Sequence, residues 1–183
     1  MDRELRRLAA FLAVATLFSG APVALAAGTC AGFKWDVRHE QALFATRPED
    51  RTAGSAAASA PMIALDRLYR LQLTPQGKVA LAVPPGKKRH MDGAYAGLVR
   101  LRIAAAGLYR IALSQPFWVD VLERGTLIAS SDSTGARGCS APHKVVLYRL
   151  AAGDQLLQVS GWAASQAELT VTRVPAGASV PHR

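Results

Sequence analysis

The sequence predicts an all-β protein, an antiparallel β-sandwich or jelly roll of about nine strands behind a short N-terminal helix. Two observations carry this reading. From about Pro61 to Val174, apolar and polar residues alternate with period two in short runs, and Gly, Pro, Ser and Asp separate those runs at intervals of roughly ten residues. No amphipathic helix of useful length interrupts them.

Residues 1–26 read as a secretory signal. Arg3, Arg6 and Arg7 form a positive start, and Leu8–Phe18 is an apolar stretch. That stretch falls short of the ~20 residues a membrane span needs, so no transmembrane anchor is expected. Gly20 and Pro22 end the helix, and Ala24-Leu25-Ala26 supplies the small-x-small pattern for cleavage after Ala26. Thr29 before Cys30 fits a lipoprotein signal poorly, which favours a soluble periplasmic or secreted product.

Residues 27–45 form an N-terminal helical segment: Asp36 is placed to cap a helix with Val37, Ala42, Leu43 and Phe44 near one face. Residues 46–60 are small and polar without periodicity, the composition of a flexible linker that could be deleted without loss of stability. Residues 61–174 are the β-sandwich domain. Its runs begin with Tyr69-Leu71-Leu73 and, after the turn at Pro75-Gln76-Gly77, Val79-Leu81-Val83. They continue with Val99-Leu101-Ile103, Tyr109-Ile111-Leu113, Phe117–Leu122 and Thr126–Ala129. Lys144–Leu150, Gln155–Ser160 and Ala167–Val174 complete the set, and residues 175–183 read as a disordered tail.

The chain carries a formal net charge of +9, nearly all of it outside the signal segment. The densest basic cluster is Lys87-Lys88-Arg89-His90, in a loop that follows Pro84-Pro85-Gly86. A basic surface favours polyanions; outside the cytoplasm these are acidic glycans or anionic headgroups rather than nucleic acid. The two cysteines, Cys30 and Cys139, are expected to form one disulfide in an oxidising compartment. A loop of roughly 100 residues closed in this way stabilises by up to about 4.7 kcal/mol in the chain-entropy picture.

In order, Gly107–Leu113, Phe117–Leu122, Gly125–Asp132, Leu150–Asp154, Gln155–Gly161 and Glu168–Thr172 resemble the bacterial pre-peptidase C-terminal domain. That resemblance implies a β-sandwich that assists secretion or substrate contact of a neighbouring catalytic domain. The mature chain also looks like a small family of exported proteobacterial proteins, through Cys30-Ala31-Gly32-Phe33-Lys34-Trp35-Asp36 and Gly138–Lys144. Some members of that family carry a homogentisate 1,2-dioxygenase label. Such an enzyme needs two His and one carboxylate converging on non-haem iron. The candidates are His39, His90 and His143 with Glu40 or Asp92; His182 lies in the tail. Adjacent His39 and Glu40 diverge on a helix, and Lys87, Lys88 and Arg89 repel a cation at His90. The expectation is therefore no metal, no cofactor and no ring-opening activity.

Hydrolytic motifs fare no better. No Gly-x-Ser-x-Gly elbow or phosphate-cradling glycine loop is present, and Ser130, Ser131 and Ser133 fall where a turn accounts for them. Asp132 reads as a turn former, and Asp120 and Glu123 point to opposite faces of a strand. Trp35, Trp118 and Trp162 could stack on sugar rings. If Phe117, Val119 and Val121 face inward, Trp118 and Asp120 face outward together; the other parity, which is favoured, makes Trp118 core.

The function expected is thus a non-catalytic binding or scaffolding module of the envelope, with an envelope protein as one partner class. The alternative is a glycan- or polyanion-binding module using Lys87, Lys88, Arg89 and His90 with Trp118 and Asp120. Mass spectrometry of the non-reduced mature protein is expected to find no free thiol; two free thiols would remove the Cys30–Cys139 bridge.

Overall fold

The computed structural model describes Cys30, residues 32–85 and residues 92–175. The signal segment, the basic cluster Lys87–His90 and residues 176–183 lie outside the described residues. One helix, α1 (Arg38–Phe44), precedes the strands β1 (Glu49–Thr52), β2 (Met62–Ile63), β3 (Tyr69–Gln72) and β4 (Thr74–Pro75). Then follow β5 (Tyr95–Ile103), β6 (Gly107–Leu113), β7 (Trp118–Glu123) and β8 (Thr126–Ile128). The last four are β9 (Ser130–Gly135), β10 (Lys144–Leu150), β11 (Gly153–Trp162) and β12 (Gln166–Arg173).

The strands make two sheets of a β-sandwich. One has the order β1-β3-β12-β6-β10-β9, the other β2-β5-β11-β7-β8 with β4 also on β5. Pairing is antiparallel except at the edges where β1 meets β3 and β2 meets β5, both parallel. The alternating residues do what period two demands: Leu71, Leu101, Ile111, Leu113, Val121, Leu157 and Leu169 turn inward and are fully buried. Each such side chain taken from water stabilises by about 1.5–3 kcal/mol.

Residues 46–60 are not a free linker. Glu49–Thr52 pairs residue by residue with Tyr69–Gln72, and Gly54 then exchanges both backbone hydrogen bonds with Leu98 of β5. The segment leaves the edge of one sheet and joins the edge of the other, with Ala53 buried at the crossing. The approach is close. A Cβ on Gly97 would overlap Ala53 and come within 2.9 Å of Leu73 Cδ2, and one on Gly54 would lie 2.6 Å from the Ala60 nitrogen. The composition concealed this because an edge strand held by backbone pairing needs no bulky apolar residues.

Two further expectations change. Val79-Leu81-Val83 alternates but forms no strand: the chain there lies across the outside of the β5-β11-β7 sheet. It is tied by Ala82 N–H donating to Gln158 Oε1 and Gln158 Nε2 donating to the Val83 carbonyl, each at 2.9 Å. Ser130–Ser133, expected in a turn, belong to β9, which pairs with β10 and completes the other sheet.

The N-terminal segment covers the outside of the β6-β10 sheet. Trp35 and Val37 pack on Ala112, Val145, Leu147 and Val174 in a second apolar cluster. The helix buries not its apolar residues but Glu40, whose carboxylate accepts from Thr172 Oγ1 at 2.5 Å and faces Arg110 Nη1 at 3.4 Å. Val37 is the N-cap, so Asp36 sits one position early and its carboxylate accepts the Arg38 N–H at 3.0 Å. Hydrogen bonds from the Arg38 side chain, then from its backbone, pull the Asp36 carboxyl down to about 2. The Cys30–Cys139 disulfide, with Cα atoms 5.8 Å apart, fastens the start of this segment.

Deleting residues 46–60 removes β1, the buried Ala53 and the Gly54–Leu98 bridge. Thermal unfolding of that variant is expected to fall by about ten degrees or more, since ~1 kcal/mol shifts a domain of this size by several degrees.

Candidate functional site

β7 begins with Trp118, and its register against β11 sets the parity. Val119 and Val121 face the core, while Trp118 and Asp120 pair with Ser160 and Gln158 on the other side. Trp118 is therefore half-buried rather than core, which corrects the favoured reading of its parity. Asp120, despite pointing the same way, is only 4% exposed. Its carboxylate accepts from Trp118 Nε1 at 2.7 Å and from Gln158 Nε2 at 3.3 Å, so the indole is held by its polar edge.

Trp118 lines a cleft of about 460 Å³ on the side of the sandwich where β9 ends one sheet. Lys144, Val146 and Tyr148 of β10 line it beside Trp118, and the Lys144 ammonium stands 5.8 Å from the Trp118 ring centroid. Ser130, Ser133 and Thr134 of β9 supply hydroxyls. Gly32 and Lys34 of the disulfide-tied segment complete the wall. Lys34 is fixed at two points: its N–H donates to Thr134 Oγ1 at 2.9 Å, and its ammonium pairs with Asp132 at 2.7 Å.

Tyr148 closes the floor, its hydroxyl donating to the Val119 carbonyl at 2.8 Å. Burial pushes its phenol well above the usual range, and the Asp120 carboxylate pushes it further. It stays protonated and serves as a donor, not as a base. The cleft is thus lined by an oriented aromatic ring, two lysines and the serines and threonine of β9.

The remaining sequence candidates lie elsewhere. Trp35 is buried in the second cluster and Trp162 packs against the main core. His39 Nε2 is 2.8 Å from Asp66 Oδ1, His143 Nδ1 is 3.2 Å from the Cys139 carbonyl, and Glu40 belongs to Arg110 and Thr172. Among the described residues no three His, Cys, Asp or Glu side chains gather where they could hold a metal ion. Lys87, Lys88, Arg89 and His90, like His182, lie outside the described residues. Lys34 and Lys144 escaped sequence reasoning, because only tertiary packing brings them to Trp118.

Comparison with family models gives no match, and comparison with curated proteins gives none of significance. Among solved structures the chain is similar to the pre-peptidase C-terminal domain of a collagenase from Bacillus anthracis. The identity is 11%, the coverage 69% of this chain and 99% of that one, and the TM-score 0.37. The similarity bears on neither ligand nor activity, and the homogentisate dioxygenase resemblance finds no support in it.

Asp120→Ala removes the buried carboxylate that accepts from Trp118 Nε1 at 2.7 Å. The variant is expected to lose about 1–3 kcal/mol of stability in denaturant unfolding; an unchanged midpoint would mean that the carboxylate does not hold the ring.

Proposed function

We propose that this chain is an exported, non-catalytic binding module of the bacterial envelope whose ligand seats in the cleft at Trp118. One observation carries the reading: the indole is locked at its polar edge by a buried carboxylate while its ring lines a cleft of ligand-pocket size. Such a ring loses little freedom on binding, which favours recognition. The walls come from β7, from the β9–β10 pair and from the disulfide-tied segment, all of them fixed elements. Export is supported by the Cys30–Cys139 disulfide, a bond of oxidising compartments, and by the signal-like residues 1–26. Among the described residues no helix is long and apolar enough to cross a membrane.

A second reading, a polyanion held at Lys87, Lys88, Arg89 and His90, is favoured by the net charge of +9. Salt separates the two, since binding by exposed charges weakens steeply as ionic strength rises.

Immobilised mature protein is expected to retain material from a bacterial envelope extract at roughly physiological salt. Trp118→Ala should lose most of that material, and so should Ser133→Tyr, which leaves the Trp118–Asp120 bond in place and crowds the cleft from an exposed position of β9. Equal retention by all three proteins would move the site away from the cleft.

A further inference from the structure

We propose that a groove on the outer face of the β5-β11-β7 sheet binds a medium-chain acyl carboxylate. Its head group pairs with Arg100 and its chain lies along Leu156 and Leu122. This site is separate from the Trp118 cleft and does not rest on that reading.

The register of three strands lays the groove out. Leu156 of β11 stands opposite Arg100 of β5 on one side and Leu122 of β7 on the other, so the three share one outward row. Strands lie ~4.8 Å apart, which makes the row roughly 10 Å long. The strap bounds it on one side: Ala82, whose N–H is tied to Gln158 in the next row at 2.9 Å, lines the groove. On the other side stand Asp154 and the turn Arg124-Gly125, whose φ angles of 48° and 81° set a tight two-residue hairpin between β7 and β8. At the β5 end Ala57 lines the groove and its carbonyl accepts from Arg100 Nη2 at 2.9 Å. The enclosed space is about 320 Å³.

The lining is apolar along its length and cationic at its ends. Leu122, Leu156, Ala57 and Ala82 offer only hydrocarbon from their side chains, and no aromatic side chain is among them, so the groove suits an alkyl chain. Arg100 is exposed and makes no ion pair among the described residues; its hydrogen bond goes to a neutral carbonyl. Its neighbours differ. Arg102 pairs with Asp154 at 2.8 Å, and Arg124 stands 3.7 Å from Glu123. The Ala57 carbonyl orients the Arg100 guanidinium through one N–H and leaves the others to a carboxylate, a charge-assisted bond that a neutral head group cannot make. A cationic head group would be repelled by Arg100 and Arg124. Asp154, the carboxylate of the lining, is already held by Arg102. The length of the row favours a single short chain, and a two-chain phospholipid is too broad for it.

The test titrates the disulfide-intact chain calorimetrically with octanoate, butanoate, 1-octanol and octylammonium. Octanoate is expected to bind at a single site, at least about tenfold tighter than butanoate because each buried methylene contributes to affinity. It should also bind at least about fivefold tighter than octanol, and octylammonium should bind weakest. Arg100→Gln should lower octanoate to the level of octanol and leave octanol unchanged, which a misfolded variant would not do. Ala82→Trp, at an exposed position of the strap, fills the groove and should abolish binding of both. Octanol bound as tightly as octanoate would overturn the role of Arg100. Octanoate binding that survives Ala82→Trp, or that Trp118→Ala removes, would overturn the groove as its site. No saturable binding of octanoate would overturn the proposal, and Arg100-dependent adhesion to anionic phospholipid vesicles would then assign the groove to a bilayer surface.

Discussion

The carboxylate of Glu40, sealed between α1 and the sheet, is the interaction on which the placement of the N-terminal segment depends. It accepts from Thr172 on β12 and faces Arg110 on β6, and Arg110 also donates to the Asp36 carbonyl at 2.7 Å and lies 5.7 Å from the Trp35 ring centroid. Removing one partner of a buried pair costs about 3–5 kcal/mol, whereas replacing both by packed apolar groups is often neutral. The pair therefore specifies position more than it adds stability. The fit has a cost, since Arg110 Nε and Trp35 Nε1 find no hydrogen-bond partner among the described residues. With this segment seated, Trp35 and Val37 cover the apolar outer face of β6 and β10, and Lys34 is delivered to the edge of the cleft.

The same need to cover and close explains the rest of the architecture. A sandwich has two outer faces and two open sides. Here α1 and its leading residues cover one face, and the chain around Ala82 and Val83 covers part of the other. The segment running from β1 through Gly54 to β2 closes one side by pairing with both sheets in turn. On the other side the chain passes directly from β8 in one sheet to β9 in the other. β9 carries Ser, Asp and Thr where a closing strand would carry apolar residues, and the cleft opens beside it. The site is thus where closure is left polar.

The legible part of this fold is the part whose side chains face two environments. β3, β5, β6, β7, β10, β11 and β12 follow the alternation of the sequence because one side of each enters the core. β1 carries no such mark: Glu-Asp-Arg-Thr is held only by its backbone ladder to β3. Val79–Val83 misleads in the opposite sense, since its alternation serves a strap whose hydrogen bonds go to the Gln158 side chain. Glu40 reads as a surface charge until its partner appears 70 positions later. The same limit governs the site. Trp118 and Asp120 share a face by period two and can be read together, but Lys34 and Lys144 reach the cleft only through the disulfide-tied segment and the β10 register.

Net charge is the property most easily read from the sequence and the one least informative about the cleft. Charges separated by more than about 8–10 Å are largely screened at physiological salt. A net charge of +9 summed over the chain therefore says little about the potential at any one site. At contact the neighbours decide, and here cations are answered by carboxylates: Lys34 by Asp132, Arg38 by Asp36, Arg70 by Glu168, Arg102 by Asp154. Most of these pairs are exposed and worth little to stability. Each pair turns a point charge into a set of directed donors and acceptors.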